Sequence, residues 1–136
     1  MVPHVHIQTA PLDADLLREV ARNPESGAVV VFEGCARNHH DGKLVAGLSY
    51  EAYEPMALAQ LEAIRAEALD KFSLHSCLIH HRLGTVPLTE AAVVIVCASS
   101  HRSESLLAIA WLLDELKERV PIWKREHYQD HQTAWV

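Results

Sequence analysis

Residues 117 to 125, KERVPIWKR, hold Lys117, Arg119, Lys124 and Arg125, four of the twelve lysines and arginines in a chain of formal net charge -6. Pro121 must stop any helix that carries Lys117, because it has no N–H to donate and its ring crowds the preceding turn. Cations on both sides of such a stop suit an anionic ligand. Upstream, Ser99-Ser100-His101-Arg102-Ser103 falls where an apolar strand pattern gives way to a helical one. Free backbone N–H groups and the positive end of the helix dipole favour a phosphate at that junction, and His101 with Arg102 would reinforce it. The other reading is that Ser100 or Ser103 caps the helix while Arg102 is solvated.

At about 100° per residue from Glu104, the residues Leu106, Ile109, Ala110, Leu112, Leu113 and Leu116 span roughly 80° to 240°. Lys117 falls among them at about 220°. Its ammonium then either reaches a ligand cavity or snorkels to water from the last turn, where the dipole favours a cation. Trp111 falls at about 340°, on the polar side, and is expected to be exposed, as an interface residue or an isolated surface aromatic. Beyond Pro121 an extended chain puts Ile122 and Lys124 on one face and Trp123 and Arg125 on the other. Lys124 thereby returns towards Lys117, unless the segment is only a solvated basic edge. Arg37 opens a histidine-rich loop. Cys35, at the end of an apolar strand, reads as a small buried residue rather than a nucleophile. Among ten histidines, the adjacent pairs His39-His40 and His80-His81 point to opposite sides of a strand and lack a third ligand, so no metal is expected.

These groups need a scaffold. Val5 to Gln8 alternates as a strand, and Asp13 caps a helix to Arg22 carrying Leu16, Leu17 and Val20. Ala28 to Phe32 is a β-branched strand running into GCARNHHDGK, where Asn38, Asp41 and Gly42 mark a turn or mobile loop. A strand over Leu44 to Tyr53 precedes a helix that Pro55 opens, with Leu58, Leu61, Ile64 and Ala68 as its inward stripe. Strands near His75 to Arg82 and Ala91 to Ala98 then lead to a helix over Arg102 to Arg119. Strands and helices of comparable weight indicate a mixed α+β fold, helices packed on a sheet.

With 136 residues and 49% apolar content, a single domain over 1–136 can bury a core without disulfides or a structural metal. Three cysteines at wide spacing, with no CxxC, suit a reducing cytoplasm. The N-terminus lacks signal-peptide character and the longest apolar run, Ala91 to Ala98, is too short for a bilayer, so no membrane association is expected. Acidic charge disfavours nucleic-acid binding, which needs a broad basic face.

Taken together, GAVVVFEGCARNHHDG, YEAYEPMA, HRLG, SSHRSES and LKERVPIWKRE resemble the large, catalytic subunit family of molybdopterin synthase, in the family's order and spacing from Gly27 to Glu126. The resemblance implies an α/β hammerhead fold and a homodimer. It also implies a small ubiquitin-like partner at each end, giving a heterotetramer. That partner's C-terminal Gly-Gly carries a thiocarboxylate, and its sulfur is transferred twice to cyclic pyranopterin monophosphate, building the dithiolene of molybdopterin. No cofactor is implied, since the partner supplies the sulfur. The substrate site carried over comprises Cys35, Ala36, Arg37, His101, Arg102, Lys117, Lys124, Arg125 and Glu126, with Lys117 as main catalytic lysine and Lys124 supporting it. Cys35-Ala36 stands where many relatives have a lysine and a larger apolar residue. The alternatives are a module that binds a ubiquitin-like tail or phosphorylated metabolite without turnover, and a histidine-based metal-binding regulatory domain.

Overall fold

Long apolar runs in the middle of the chain make strands that bury both faces, and amphipathic helices cover them. The computed structural model describes Met1–Val136. In chain order the elements are β1 (Val5–Gln8), α1 (Ala14–Ala21), β2 (Ala28–Cys35), β3 (His39–His40), β4 (Lys43–Ala52) and α2 (Glu54–Lys71). There follow β5 (Ser76–Arg82), β6 (Gly84–Val86), β7 (Ala91–Ser99), α3 (Arg102–Arg119), β8 (Ile122–Tyr128) and β9 (Thr133–Trp135). One sheet has the order β1-β5-β7-β2, antiparallel except that β1 runs parallel to β5. The other has the order β3-β4-β8-β9, with β6 added to β4. This is the mixed α+β architecture that the patterns indicate.

Strand alternation divides the first sheet's side chains between two cores. Cys77, Ile79, Ile95 and Cys97 face α2 and α3, where Leu61, Ile64, Ala108 and Leu112 meet them. Leu78, Val94 and Val96 face Leu17 and Ala21 of α1. Each fully buried Leu or Ile contributes on the order of 1.5–3 kcal/mol, so β5 and β7 are the most firmly held strands. A third cluster of Ala36, Val45, Leu48, Val86 and Ala92 joins the two sheets. No helix is long and apolar enough to cross a membrane.

The structure corrects several expectations. Within GCARNHHDGK the turn alternative holds, but strand flanks it: β2 runs on to Cys35, and Asp41 (φ 49°) and Gly42 (φ 78°) make a two-residue turn pairing His40 with Lys43. Two consecutive positive φ values match the right-handed twist of a tight hairpin. On α2 it is Ala57, not Leu58, that joins the buried stripe, and on α1 Leu16 and Val20 stand exposed. On α3 the buried face is Ser105, Ala108, Ile109 and Leu112, which covers only about 40° to 140° of the wheel. Lys117 is therefore exposed rather than core-facing. Trp111 is half-buried, its ring edge-on to Phe72 at 5.8 Å, because α2 packs along the side of α3 that charge pattern alone leaves to water. The short strands β3, β6 and β9 have no counterpart among the expected elements.

Candidate functional site

The site begins where α3 stops. Val120 N–H still reaches Leu116 O at 3.1 Å, but Pro121 has no N–H for the next bond, and its carbonyl instead accepts from Tyr53 N–H at 3.2 Å. The chain leaves this corner as β8, antiparallel to β4, with Lys124 opposite Tyr50 and Glu126 opposite Leu48. Alternation sets Lys124 and Glu126 on the inner face and Trp123 and Arg125 on the outer one. Arg125 stacks on the Trp135 ring, 4.0 Å from its centroid. Lys124 is thus turned back towards Lys117, as strand parity predicts.

Between the two sheets and the end of α3 lie adjoining cavities of about 300 Å³ and about 510 Å³. His40, Tyr50, Val93, Leu113, Lys117 and Lys124 line both, so they form one cleft. Cys35, Arg37 and Glu126 line the first part; His81 and Ile122 line the second. The floor depends on Gly34, which sits at a β-bulge facing β7. A Cβ there would lie 2.8 Å from Val93 Cγ1 and 3.3 Å from the Phe32 ring, so a side chain would displace the cleft wall.

Charge is left unbalanced here. Arg37, Lys117 and Lys124 make no ion pair with any carboxylate. Glu126, only 4% exposed, is the one carboxylate on the cleft lining. Its Oε1 accepts from His40 Nδ1 at 2.6 Å and from Tyr128 O–H at 3.1 Å. Burial, then the charge on Glu126, pushes the Tyr50 phenol up to about 12, so it holds its proton at neutral pH and has an O–H to donate. His81, packed edge-on against Tyr50 at 5.0 Å, is pushed down to about 4 by burial and is a neutral ring donating to Arg82 O at 2.9 Å. His80 is lowered likewise, chiefly by burial. Three free cations on a half-apolar cleft favour a ligand carrying more than one negative group.

The other sequence-derived candidates fall unevenly. Cys35 is exposed at the cleft rim, not buried; partial desolvation and then Glu33 raise its thiol, which keeps it protonated. The buried place belongs to Ala36, 3% exposed in the joining core, with backbone bonds to Glu90 O and Thr89 N–H. Arg102 lies 15 residues before Lys117 on α3, about 22 Å along the axis. Neither Ser100 nor Ser103 caps that helix by itself. Glu104 does so, accepting from His101 N–H at 3.0 Å and Ser103 O–H at 3.1 Å, and the His101 bond holds its carboxyl below the usual range. A single chain therefore gathers Cys35, Arg37, Lys117, Lys124 and Glu126, and leaves Ala36, His101, Arg102 and Arg125 outside the cleft. His40 and Tyr50 are cleft residues that the sequence reading passes over. The Asp41-Gly42 turn signal was the available clue, since it fixes which face of the hairpin His40 occupies.

Comparison with known proteins identifies the family and the fold. Residues 7–119 match the family model described as MoaE protein. A Culex quinquefasciatus protein named molybdopterin synthase catalytic subunit is 46% identical over 89% of this chain and 78% of its own length. A Drosophila erecta protein of the same name is 42% identical over 97% of this chain, which spans only 36% of that relative's length. The crystal structure of molybdopterin synthase from Staphylococcus aureus superimposes with a TM-score of 0.93 at 34% identity, covering 100% of this chain and 98% of that one. One from Helicobacter pylori, a complex of subunits 1 and 2 of molybdopterin-converting factor, shares the fold at TM-score 0.79 and 23% identity, covering 98% of this chain and 90% of that one. By the extent of the family match and the identity to relatives of similar length, the chain belongs to the MoaE protein family.

Proposed function

We propose that the chain is the catalytic subunit of a molybdopterin synthase, a sulfurtransferase acting on cyclic pyranopterin monophosphate. The sulfur arrives as the C-terminal thiocarboxylate of a small ubiquitin-like partner ending in Gly-Gly, so no cofactor is required. The observation that carries this reading is the set of three unpaired cations, Arg37, Lys117 and Lys124, around one cleft. Both reactants are anions, and each needs a counter-charge where they meet. Arg37 offers a planar fork to the substrate phosphate. Lys117, on a rigid helix, orients the thiocarboxylate and stabilises the oxyanion that forms as sulfur is passed on, and Lys124 supports it from β8. The names of the relatives support the activity, and the two-subunit Helicobacter pylori complex is in keeping with a partner subunit.

His101 and Arg102 enter this scheme from a second copy of the chain. They cannot reach their own cleft, and the neighbouring Leu106 and Leu107, 54% and 62% exposed, form an apolar seat for a homodimer contact. Two chains and two carriers then make the heterotetramer. Free thiols at all three cysteines suit the cytoplasm.

The test is reconstitution: the chain, thiocarboxylated carrier and cyclic pyranopterin monophosphate should yield molybdopterin. Light scattering should give a dimer that gains mass on adding the carrier. Consumption of neither thiocarboxylate nor pterin by a dimer that binds both would sink the catalytic assignment.

A further inference from the structure

We propose that His40 is the base that activates water in the second half of each sulfur transfer, and that Glu126 positions it; this rests on the sulfur-transfer reading above. The chemistry requires such a step. A carrier that arrives as R–C(=O)–S⁻ and leaves as a carboxylate must gain an oxygen from water. Once its sulfur has displaced an oxygen substituent from a pterin carbon, the C–O bond breaking with its electron pair leaving on oxygen, the carrier is joined to the substrate through a thioester. Water then adds to the thioester carbonyl and the acyl C–S bond breaks. The sulfur keeps the bonding pair as a thiolate on the pterin, and the carrier departs as a carboxylate. One water proton passes to the base as the oxygen attacks, and the second is lost from the new carboxylic acid to solvent.

Among the cleft's side chains His40 alone is built for that proton. Arg37 has no lone pair to offer, and Lys117 and Lys124 serve as the cations. Tyr50 holds its proton, the Cys35 thiol is raised and Glu33 faces it, and His81 is buried with one nitrogen committed to Arg82 O. Glu126 is buried and its Oε1 already accepts two bonds. His40 lines both parts of the cleft, and its side chain is 30% exposed. With Nδ1–H donating to Glu126 at 2.6 Å, the lone pair stands on Nε2. A fixed carboxylate behind an imidazole sets the tautomer and steadies the imidazolium that forms. Tyr128 O–H holds that carboxylate in place, and the Asp41-Gly42 turn fixes the strand register of His40 opposite Lys43. The nearest competitor for Nε2 is Asp41 Oδ2 at 3.5 Å, on a side chain 89% exposed and free to swing into water. Glu126 is thereby a positioning residue rather than a contact to substrate.

The experiment is a single turnover of the full chain with thiocarboxylated carrier and cyclic pyranopterin monophosphate, followed by intact-mass spectrometry of the carrier. With His40→Ala, sulfur attachment should keep its wild-type rate while the carrier–pterin thioester accumulates. Its decay should slow on the order of 10²-fold, and added imidazole should restore part of it. His40→Gln, which can still donate to Glu126, should fold with an unchanged Tm and show the same slow decay. Decay at the wild-type rate in both variants overturns the role of His40 alone. A wild-type chain that never consumes the thiocarboxylate overturns the sulfur-transfer reading, and this role with it.

Discussion

Two cations in the last turns of α3, Lys117 and Arg119, differ in what the fold gives them. Arg119 donates through both terminal nitrogens to Glu67 on α2, at 3.0 and 2.7 Å, and lies 3.6 Å from Glu115. That pairing holds the Glu67 carboxyl below the usual range and raises the guanidinium further. Lys117, two residues earlier and on another face, meets no carboxylate and opens on the cleft. Both gain from the helix dipole, so the dipole does not explain the difference. The Arg119 charge is spent within the fold, tying α3 to α2. The Lys117 charge is left for something that arrives from outside.

Removing the Lys117 charge should have the largest effect. Lys117→Ala should lower the single-turnover rate by on the order of 10²-fold or more, the loss expected for one preorganised charge-stabilising group. Its Tm should stay near wild type, because an exposed side chain without partners is removed. Lys117→Arg should recover only part, since a planar fork does not reproduce a compact ammonium. Next comes Arg102→Ala, expected to weaken pterin binding roughly tenfold to a hundredfold, as for a lost charge-assisted contact, measured by calorimetry. Mixed dimers of Arg102→Ala with Lys117→Ala should regain tight pterin binding and turnover at one cleft, whereas a mixture that stays impaired would show that Arg102 does not act across the dimer. On the Arg119 side the expected change is in stability alone. Arg119→Ala should drop Tm by roughly a few degrees at most, because the pair is solvent-screened, and leave the single-turnover rate intact. The smallest effect belongs to Cys35→Ser, which should turn over as wild type. Complete loss in a folded, carrier-binding variant would mean that sulfur passes through that thiol.

Much of this contrast was legible in the sequence. The Pro121 stop and the parity of β8 place Lys124 and Arg125 on opposite faces without any coordinates. The side of α3 that carries Lys117 was harder to read. Hydrophobic periodicity marks an apolar arc, and only packing decides which part of the arc a neighbouring element covers. Here α2 and the first sheet take the edge bearing Ala108 and Leu112, drawing Trp111 inward and leaving Leu106 and Lys117 out. The distance from His101 to the cleft was not legible either, because local sequence gives a helix's ends but not what faces each end. His40 went unread because a two-residue strand has no periodicity of its own, and only its hairpin partner fixes its direction.

The cleft lining runs from Phe32 to Val136 and draws on β2, β3, β4, β5, β7, α3 and β8, with no two neighbouring elements sufficient to form it. Its completion is therefore a long-range event: Lys124 joins Arg37 and Lys117 only when β8 has paired with β4, a strand some 75 residues earlier in the chain. Closing such a loop costs entropy before any of its contacts form. A chain in which β8 is not yet paired thus lacks Lys124 and Glu126 from its cleft. Competence to meet a reactive sulfur donor coincides with the completed fold.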